Sequence, residues 1–399
     1  MRISTSWMQQ QAVNAMLDRQ SDLAVTQQQI ATGRRILAPS DDPAGSARAL
    51  DLTHFDAANT QYTRNIDAAG SRLALEEQAL SSAGDVLQRV RELTVQGANA
   101  TQTNETRHDI ALELRQRLDQ LVQIANSRDA NGEYLFAGNA TRTQPFVRSP
   151  AGVAYAGDQG QRSVATAPGE TTATGDPGSD VFQRIPTGNG TFAVTAAAGN
   201  TGTAVVGANQ VTDNAAWDGG TYDIRFTAPD AWQVVDGGGA VIASGSYGGN
   251  DTIAFKGVQV SIGGTPAAGD SFRVAPSATR DVFATIQDIA DALDAPVANA
   301  TDRAALNERL NRALENLDQA SGRLVETRAR VGARMNALEQ QKNVNAGIGV
   351  QVKATLSGIQ DLDYASAVSK LNLQLLGLQA SQQAFVKVQG LSLFNYLSS

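Results

Sequence analysis

Both ends of the chain carry apolar residues at heptad spacing, whereas the middle is broken by glycine and proline; together these patterns fix which parts can be long helix. Near the start, Val13, Met16, Gln20, Leu23, Gln27 and Ile30 follow at alternating steps of three and four. Near the finish, Val368, Leu371, Leu375, Leu378, Gln382, Phe385, Gln389, Ser392 and Tyr396 do the same. A stripe that recurs every seven residues lies along one side of a helix and is covered only by a partner helix of similar length. Two such stripes at opposite ends predict that residues 3–32 and 356–397 pair, so that the chain forms a hairpin with its middle as the outer tip. Residues 141–277 hold 23 of the 37 glycines and 8 of the 11 prolines, which excludes long helix there.

The expected fold class is therefore α+β multidomain: a long α-helical coiled-coil bundle built from both chain ends, with an inserted all-β outer domain. The expected divisions are 1–38 (N-terminal helix), 39–140 (helical body, first part), 141–277 (β-rich insert), 278–350 (helical body, second part) and 351–399 (C-terminal helix). Within the insert, Tyr222-Ile224-Phe226, Ile253-Phe255, Val258-Val260-Ile262 and Phe272-Val274 alternate as half-buried strands do, and 191–194 and 232–235 read as strands too. A sandwich or small barrel follows, in one subdomain or two. In the flanks, Pro39, Ser40, Asp41, Asp42 and Pro43 combine a loop with an Asx cap and a proline at the first helical position. Ile66, Ala69, Leu73, Leu80, Ala83, Leu87 and Val90 then trace one helical stripe, ended around Gly97–Asn99. A second helix through Ile110, Leu114, Leu121 and Ile124 is expected to stop near Asn131 and Gly132, a pair suited to a tight turn. Tyr134, Leu135 and Phe136 follow as an extended exit. On the return side, residues 278–294 read as one helix ended by Pro296, and Leu306 to Leu338 as another of about ten turns. Residues 345–349 (NAGIG) read as a hinge before the terminal helix.

No window approaches the run of about 18 apolar residues that a membrane helix needs, and residues 1–10 lack a basic-then-apolar signal pattern, so neither membrane insertion nor the general secretory route is expected. A net charge of -8 argues against nucleic acid, because phosphate binding needs a basic face. The absence of cysteine excludes disulfides and thiol chemistry. The terminal stripe, several of whose members are Gln or Ser, is too narrow to offset the entropy of ordering a helix of that length. Leu373, Leu376, Val388 and Leu391 lie on further faces, which a lone monomer would expose. The reading is that the ends order when many copies pack around one another; a self-contained bundle, with the ends docked on the helices of residues 41–338, is the alternative.

Four segments carry a family resemblance: MRISTS at the start, GRRILAPSDDPAGSARAL (33–50), ANSRDANGEYLFAG (125–138) and LQASQQAFVKVQGLSLFNYL (378–397). Over about 260 residues of both flanks the chain resembles the bacterial flagellin superfamily, and within it the hook-associated protein 3 branch of hook-filament junction proteins. The resemblance implies terminal helices that form an inner coiled-coil layer, a surrounding helical layer and an outer β domain. It also implies unfolded export through the flagellar type III channel and an extracellular location at the junction. The implied partners are further copies in a ring, the first hook-associated protein, flagellin, and an export chaperone on the C-terminal helix. Its candidate contacts are Leu375, Leu378, Phe385 and Val388. The assembly contacts would be Val13, Met16, Leu23 and Ile30 with Val368, Leu371, Leu375, Leu378, Phe385, Leu393, Phe394, Tyr396 and Leu397. In the insert, GVQVSIGGTPAAGDSFRVAPS (257–277) resembles a β-hairpin return element of hook-associated proteins, which leaves about 116 of its residues unassigned. A filament flagellin, or an exported flagellin-like protein with a binding activity in its β domain, are the competing readings.

Candidate chemistry is sparse. His54 and His108 lack paired spacing for a metal, and adjacent Asp41 and Asp42 suit helix initiation better than acid-base work. Asp129 to Gly132 lacks the downstream ligands of a calcium loop. No enzyme and no cofactor are expected. Tyr134-Leu135-Phe136 reads as either a contact cluster or ordinary core.

Overall fold

The computed structural model describes residues 5–390 except Ala151. Among the described residues six α-helices precede and follow, in sequence, a region of short strands that holds one π-helical turn (Ser179–Gln183): α1 (Thr5–Thr32), α2 (Pro43–Ala98), α3 (Asn104–Ala125), α4 (Val282–Asp294), α5 (Ala300–Gln360) and α6 (Tyr364–Gly390). The chain divides into two compact units, one of residues 1–64 with 341–399 and the other of residues 65–340.

In the terminal unit, α1 packs along α6. The pair is antiparallel: Arg34 at the end of α1 bridges to Asp361 just before α6, and Arg19 lies against Gly377 further along. Residues 43–64 of α2 and 341–360 of α5 complete the unit. Here the structure departs from the sequence reading, because residues 345–349 form no hinge and α5 runs unbroken over 61 residues. Asn59 Nδ2 donates to the carbonyl of Asn345 at 2.8 Å, and a Cβ added at Gly349 would lie 3.3 Å from the same nitrogen. The glycine admits a neighbouring side chain and does not bend the helix. The break falls instead at residues 361–363, so the predicted division at 350/351 moves into the helix interior.

In the second unit, α2, α3, α4 and α5 share one apolar core, which includes Leu73, Leu80, Leu87, Leu114, Leu121, Ile286, Leu310 and Leu317. Capping is local and explicit. Thr103 and Thr106 form a reciprocal box at the start of α3, and Asp281 accepts from Ala284 N at 2.6 Å at the start of α4. That cap starts α4 at residue 282, four residues later than expected. Similarly α3 ends at Ala125, six residues short of Asn131. The Asn126 amide clasps Phe146 through both backbone groups (2.8 and 2.9 Å), turning the chain into a short hairpin whose tip is Gly132 at φ +79. Tyr134, Leu135 and Phe136 are buried core residues. Phe136, Phe146, Phe182 and Phe283 pack with ring centroids 5.1–5.9 Å apart.

The strand region has two parts. Hairpins β1 (Phe146–Ser149) with β2 (Gly152–Tyr155) and β3 (Ser163–Ala167) with β4 (Glu170–Ala173) contribute Phe146, Val153, Tyr155 and Val164 to the helical core or its margin. A short β5 (Ile185–Pro186) leads into β6 (Phe192–Ala196), β7 (Val205–Val211), β8 (Tyr222–Ala228), β9 (Ala231–Asp236) and β10 (Val241–Ser246). After these come β11 (Asn250–Phe255), β12 (Val258–Gly263), β13 (Ser271–Pro276) and β14 (Thr279–Arg280), the last of which pairs with β5. The order β10-β9-β8-β13-β6 makes a five-stranded sheet and β11-β12-β7 a three-stranded one, both antiparallel. Their inner faces close over one core that includes Phe192, Ile224, Phe226, Val258, Val260 and Phe272.

Candidate assembly interface

The terminal unit is organised around the point where the loop after α1 meets the segment that links α5 to α6. Gly33 ends α1 in the left-handed region (φ +71), a conformation that glycine adopts without strain. An added Cβ there would also sit 3.0 Å from Tyr364 Oη. Beyond it the backbone pairs with the 361–363 linker: Arg35 N donates to Gln360 O at 2.8 Å and Leu362 N to Gly33 O at 2.9 Å. The Arg35 guanidinium donates to Ile359 O at 2.8 and 3.2 Å and pairs with Asp42 at 3.2 Å, tying loop, α2 and α5 together.

The two adjacent aspartates do separate work. Asp41 accepts from the backbone N–H groups of Leu37 and Ala38, both at 2.9 Å, which rounds the loop through exposed Pro39 and Ser40. Asp42 accepts from Gly45 N at 2.8 Å and caps α2, whose first residue is Pro43. The Gly45 N–H and the Arg35 side chain hold the Asp42 carboxyl below the usual carboxylate range. Asp363 is lowered in the same way, by the hydroxyl and N–H of Ser366, and caps α6. His54 is exposed on α2, and His108 pairs with Asp294 in the other unit.

The seam between α1 and α6 differs from the predicted stripe by one residue at alternate positions. On α6 the more enclosed positions are Ala367, Leu371, Gln374, Leu378, Ser381 and Phe385, whereas Val368, Leu375 and Gln382 are exposed. On α1, Val13, Met16, Leu23 and Ile30 are half-buried and Thr26 is buried, but Gln20 and Gln27 are exposed. The small and polar seam members were missed because Val368 and Leu375, one step away, present the same spacing with more apolar side chains. Leu393, Phe394, Tyr396 and Leu397 lie outside the described residues, as does the side chain of Val388.

The apolar surface is distributed unevenly. Of the 20 exposed large apolar side chains among the described residues, 14 belong to the terminal unit, among them Trp7, Leu17, Leu50, Val350, Leu373 and Leu376. The same unit buries only Ala49, Val352 and Ala367 as apolar core among the described residues, and neither hydrophobic cluster includes any of them. A unit that leaves Leu17, Leu50, Leu373 and Leu376 exposed while burying only two alanines and one valine keeps apolar surface that its own fold does not cover. Chemically, this arrangement can bind further apolar helix faces; its carboxylates Asp41, Asp42 and Asp363 are occupied by backbone, arginine and serine.

Residues 3–141 match the bacterial flagellin N-terminal helical region, and residues 314–397 match the C-terminal one. Residues 195–276, the sandwich, match the D2-like domain of flagellar hook-associated protein 1. The crystal structure of FlgL from Xanthomonas campestris is 38% identical with a TM-score of 0.72, and the match covers 76% of this chain and 98% of that one. The chain belongs to the flagellar hook-associated protein 3 family. Flagellar hook-associated protein-3 from Legionella pneumophila is 32% identical with a TM-score of 0.74, over 77% of this chain and 98% of that one. The Escherichia coli K12 flagellar hook-associated protein 3 is 26% identical across 99% of both chains. By contrast, a Salmonella typhimurium flagellin aligns over only 130 residues, 33% of this chain and 26% of that protein. Full-length likeness to the family and only partial likeness to flagellin favour the hook-associated protein 3 reading over the filament-flagellin one.

Proposed function

We propose that this protein is a structural subunit of the bacterial flagellum, seated at the junction between hook and filament, with no catalytic role. The observation that carries this reading is the terminal unit's surplus of exposed apolar side chains over buried ones, in a chain related end to end to hook-associated protein 3. In this account several copies form a ring, and their α1–α6 pairs cover one another's Leu17, Leu373 and Leu376. The first hook-associated protein lies on one side and flagellin on the other. Export proceeds unfolded through the flagellar type III channel, with a chaperone shielding α6 around Leu375, Leu378 and Phe385 until assembly. The exposed side of α6 supports that role, since Leu375 is accessible and Leu378 and Phe385 are half-covered.

Deletion of the gene tests the proposal. The expected phenotype is hooks without filaments, with flagellin monomers released into the medium. Normal filaments on the deletion strain would refute it.

A further inference from the structure

The β-sandwich meets α5 through an edge strand and a row of polar side chains. Strand β7 lies at the rim of the three-stranded sheet, and on its open side α5 takes the place of a missing strand. Glu308 Oε2 accepts from Val206 N at 2.9 Å, and Asn311 Nδ2 donates to Val206 O at 3.1 Å. Two turns beyond Glu308, Glu315 accepts a hydrogen bond from Asn209 Nδ2. The other half of that carboxamide, Asn209 Oδ1, is buried with no hydrogen-bond partner.

An orphaned amide oxygen beside a carboxyl group has a specific remedy. A neutral carboxylic acid and a carboxamide form a closed two-bond ring, in which the acid O–H donates to the amide oxygen and the amide N–H donates to the acid carbonyl. Exchanging the oxygen and nitrogen of Asn209 does not remove the need, because the amide oxygen would then face the carboxyl directly. We infer that Glu315 is a proton-gated latch: while the sandwich is docked it holds a proton that it donates to Asn209, and losing that proton loosens β7 from α5.

The surroundings favour the neutral acid. Burial pushes the Glu315 carboxyl up to about 7; the Asn209 hydrogen bond opposes this, and the charges of Glu308 and Asp318 reinforce it. Burial likewise raises Glu308, against the Val206 N–H and the charge of Arg312. Arg309 lines the same groove as Glu308 and Arg312. Strand β7, with the sequence VVGANQV, brings no charged side chain to the interface. With its docked pKa raised above the ordinary 4.5, Glu315 contributes full docking strength below that value, and the contribution is lost as pH rises to about 7.

Hydrogen exchange of the intact chain tests the latch, followed by mass spectrometry on peptides spanning 205–211 and corrected for intrinsic rates. Peptides from β13 serve as the internal control for the sandwich core. In the wild type, opening at β7 should increase with pH between about 4.5 and about 7 and then level off, a total change of about a hundredfold. Glu315→Gln, which offers the same pair of hydrogen bonds at every pH, should remove most of the rise and leave only the part that Glu308 contributes through its own raised pKa, whereas Glu308→Gln should keep the larger, Glu315 part; the double variant should be flat. A rise undiminished in Glu315→Gln, a flat wild-type profile, or a rise removed only by Glu308→Gln would each overturn the inference.

Discussion

Replacing Leu373 and Leu376 together by serine should leave the free subunit almost unchanged and cripple its assembly. In the subunit these side chains are 70% and 63% exposed, so about two thirds of each transfer free energy is still to be gained. Full burial of a leucine contributes about 1.5–3 kcal/mol, which leaves roughly 1–2 kcal/mol per side chain for an interface and roughly 2–4 kcal/mol for the pair. That corresponds to about a 30- to 1000-fold loss in association. In the isolated chain the same change should cost less than about 1 kcal/mol per site. Leu317→Ala, at a fully buried position in the helical body, is the control and should cost about 2–5 kcal/mol. Thermal unfolding of the purified proteins reads the subunit term. Complementation of a deletion strain, with filament-bearing hooks counted by electron microscopy, reads the assembly term, and the amount of subunit secreted separates an export defect from an assembly defect. Filaments as frequent as with wild type, or a melting temperature lowered as far as by Leu317→Ala, would refute the reasoning.

Other expectations follow from single positions. Burial, with the neighbouring Asp176 charge, pushes the Glu76 carboxyl up to about 8. The stability it contributes is therefore complete below about 4.5 and lost as pH rises through about 8, so Glu76→Gln should flatten the decline in melting temperature between about pH 5 and pH 9; parallel slopes for the two proteins would contradict this. Gly347 lies inside α5 with open space around it, so Gly347→Ala should stabilise the helix by about 0.5–1 kcal/mol and preserve motility. A motility loss without a stability loss would restore a hinge at this site. Gly138 has φ +68, and a Cβ there would sit 2.5 Å from the Asp158 carbonyl oxygen; Gly138→Ala should lower stability by more than about 1–2 kcal/mol in calorimetry, and an unchanged transition would show that the left-handed turn at Gly138 is not required.

The sequence disclosed what short-range chemistry decides. Asp42 and Pro43 start a helix because the cap and the fixed φ act within four residues, and Gly132 marks a turn for the same reason. Heptad spacing disclosed that the ends pair but not their phase, since Val368 and Ala367 are both compatible with a seam and only the position of α1 chooses between them. The continuity of α5 through residues 345–349 was hidden because low local helix propensity is overridden by packing against Asn59. Strand β7 was missed for a related reason: its sequence has weak alternation, and its open edge is satisfied by Glu308 and Asn311, which lie more than a hundred residues further along. In the candidate interface, Leu373 and Leu376 were legible as apolar residues on a second face. The exposure of Leu17, Leu50 and Val350 was not, because it depends on how few side chains the terminal unit brings inward.

The central claim is that the terminal unit is completed by neighbouring subunits, and hydrogen exchange of residues 5–32 and 364–390, in the free chain and in purified hook-filament junctions, tests it most directly. Fast exchange in the free chain, relative to the core of the helical body, with strong protection in the junction is the predicted result. Protection in the free chain equal to that of Leu80, Leu114 and Leu317 would show that the ends are already complete and contradict the account.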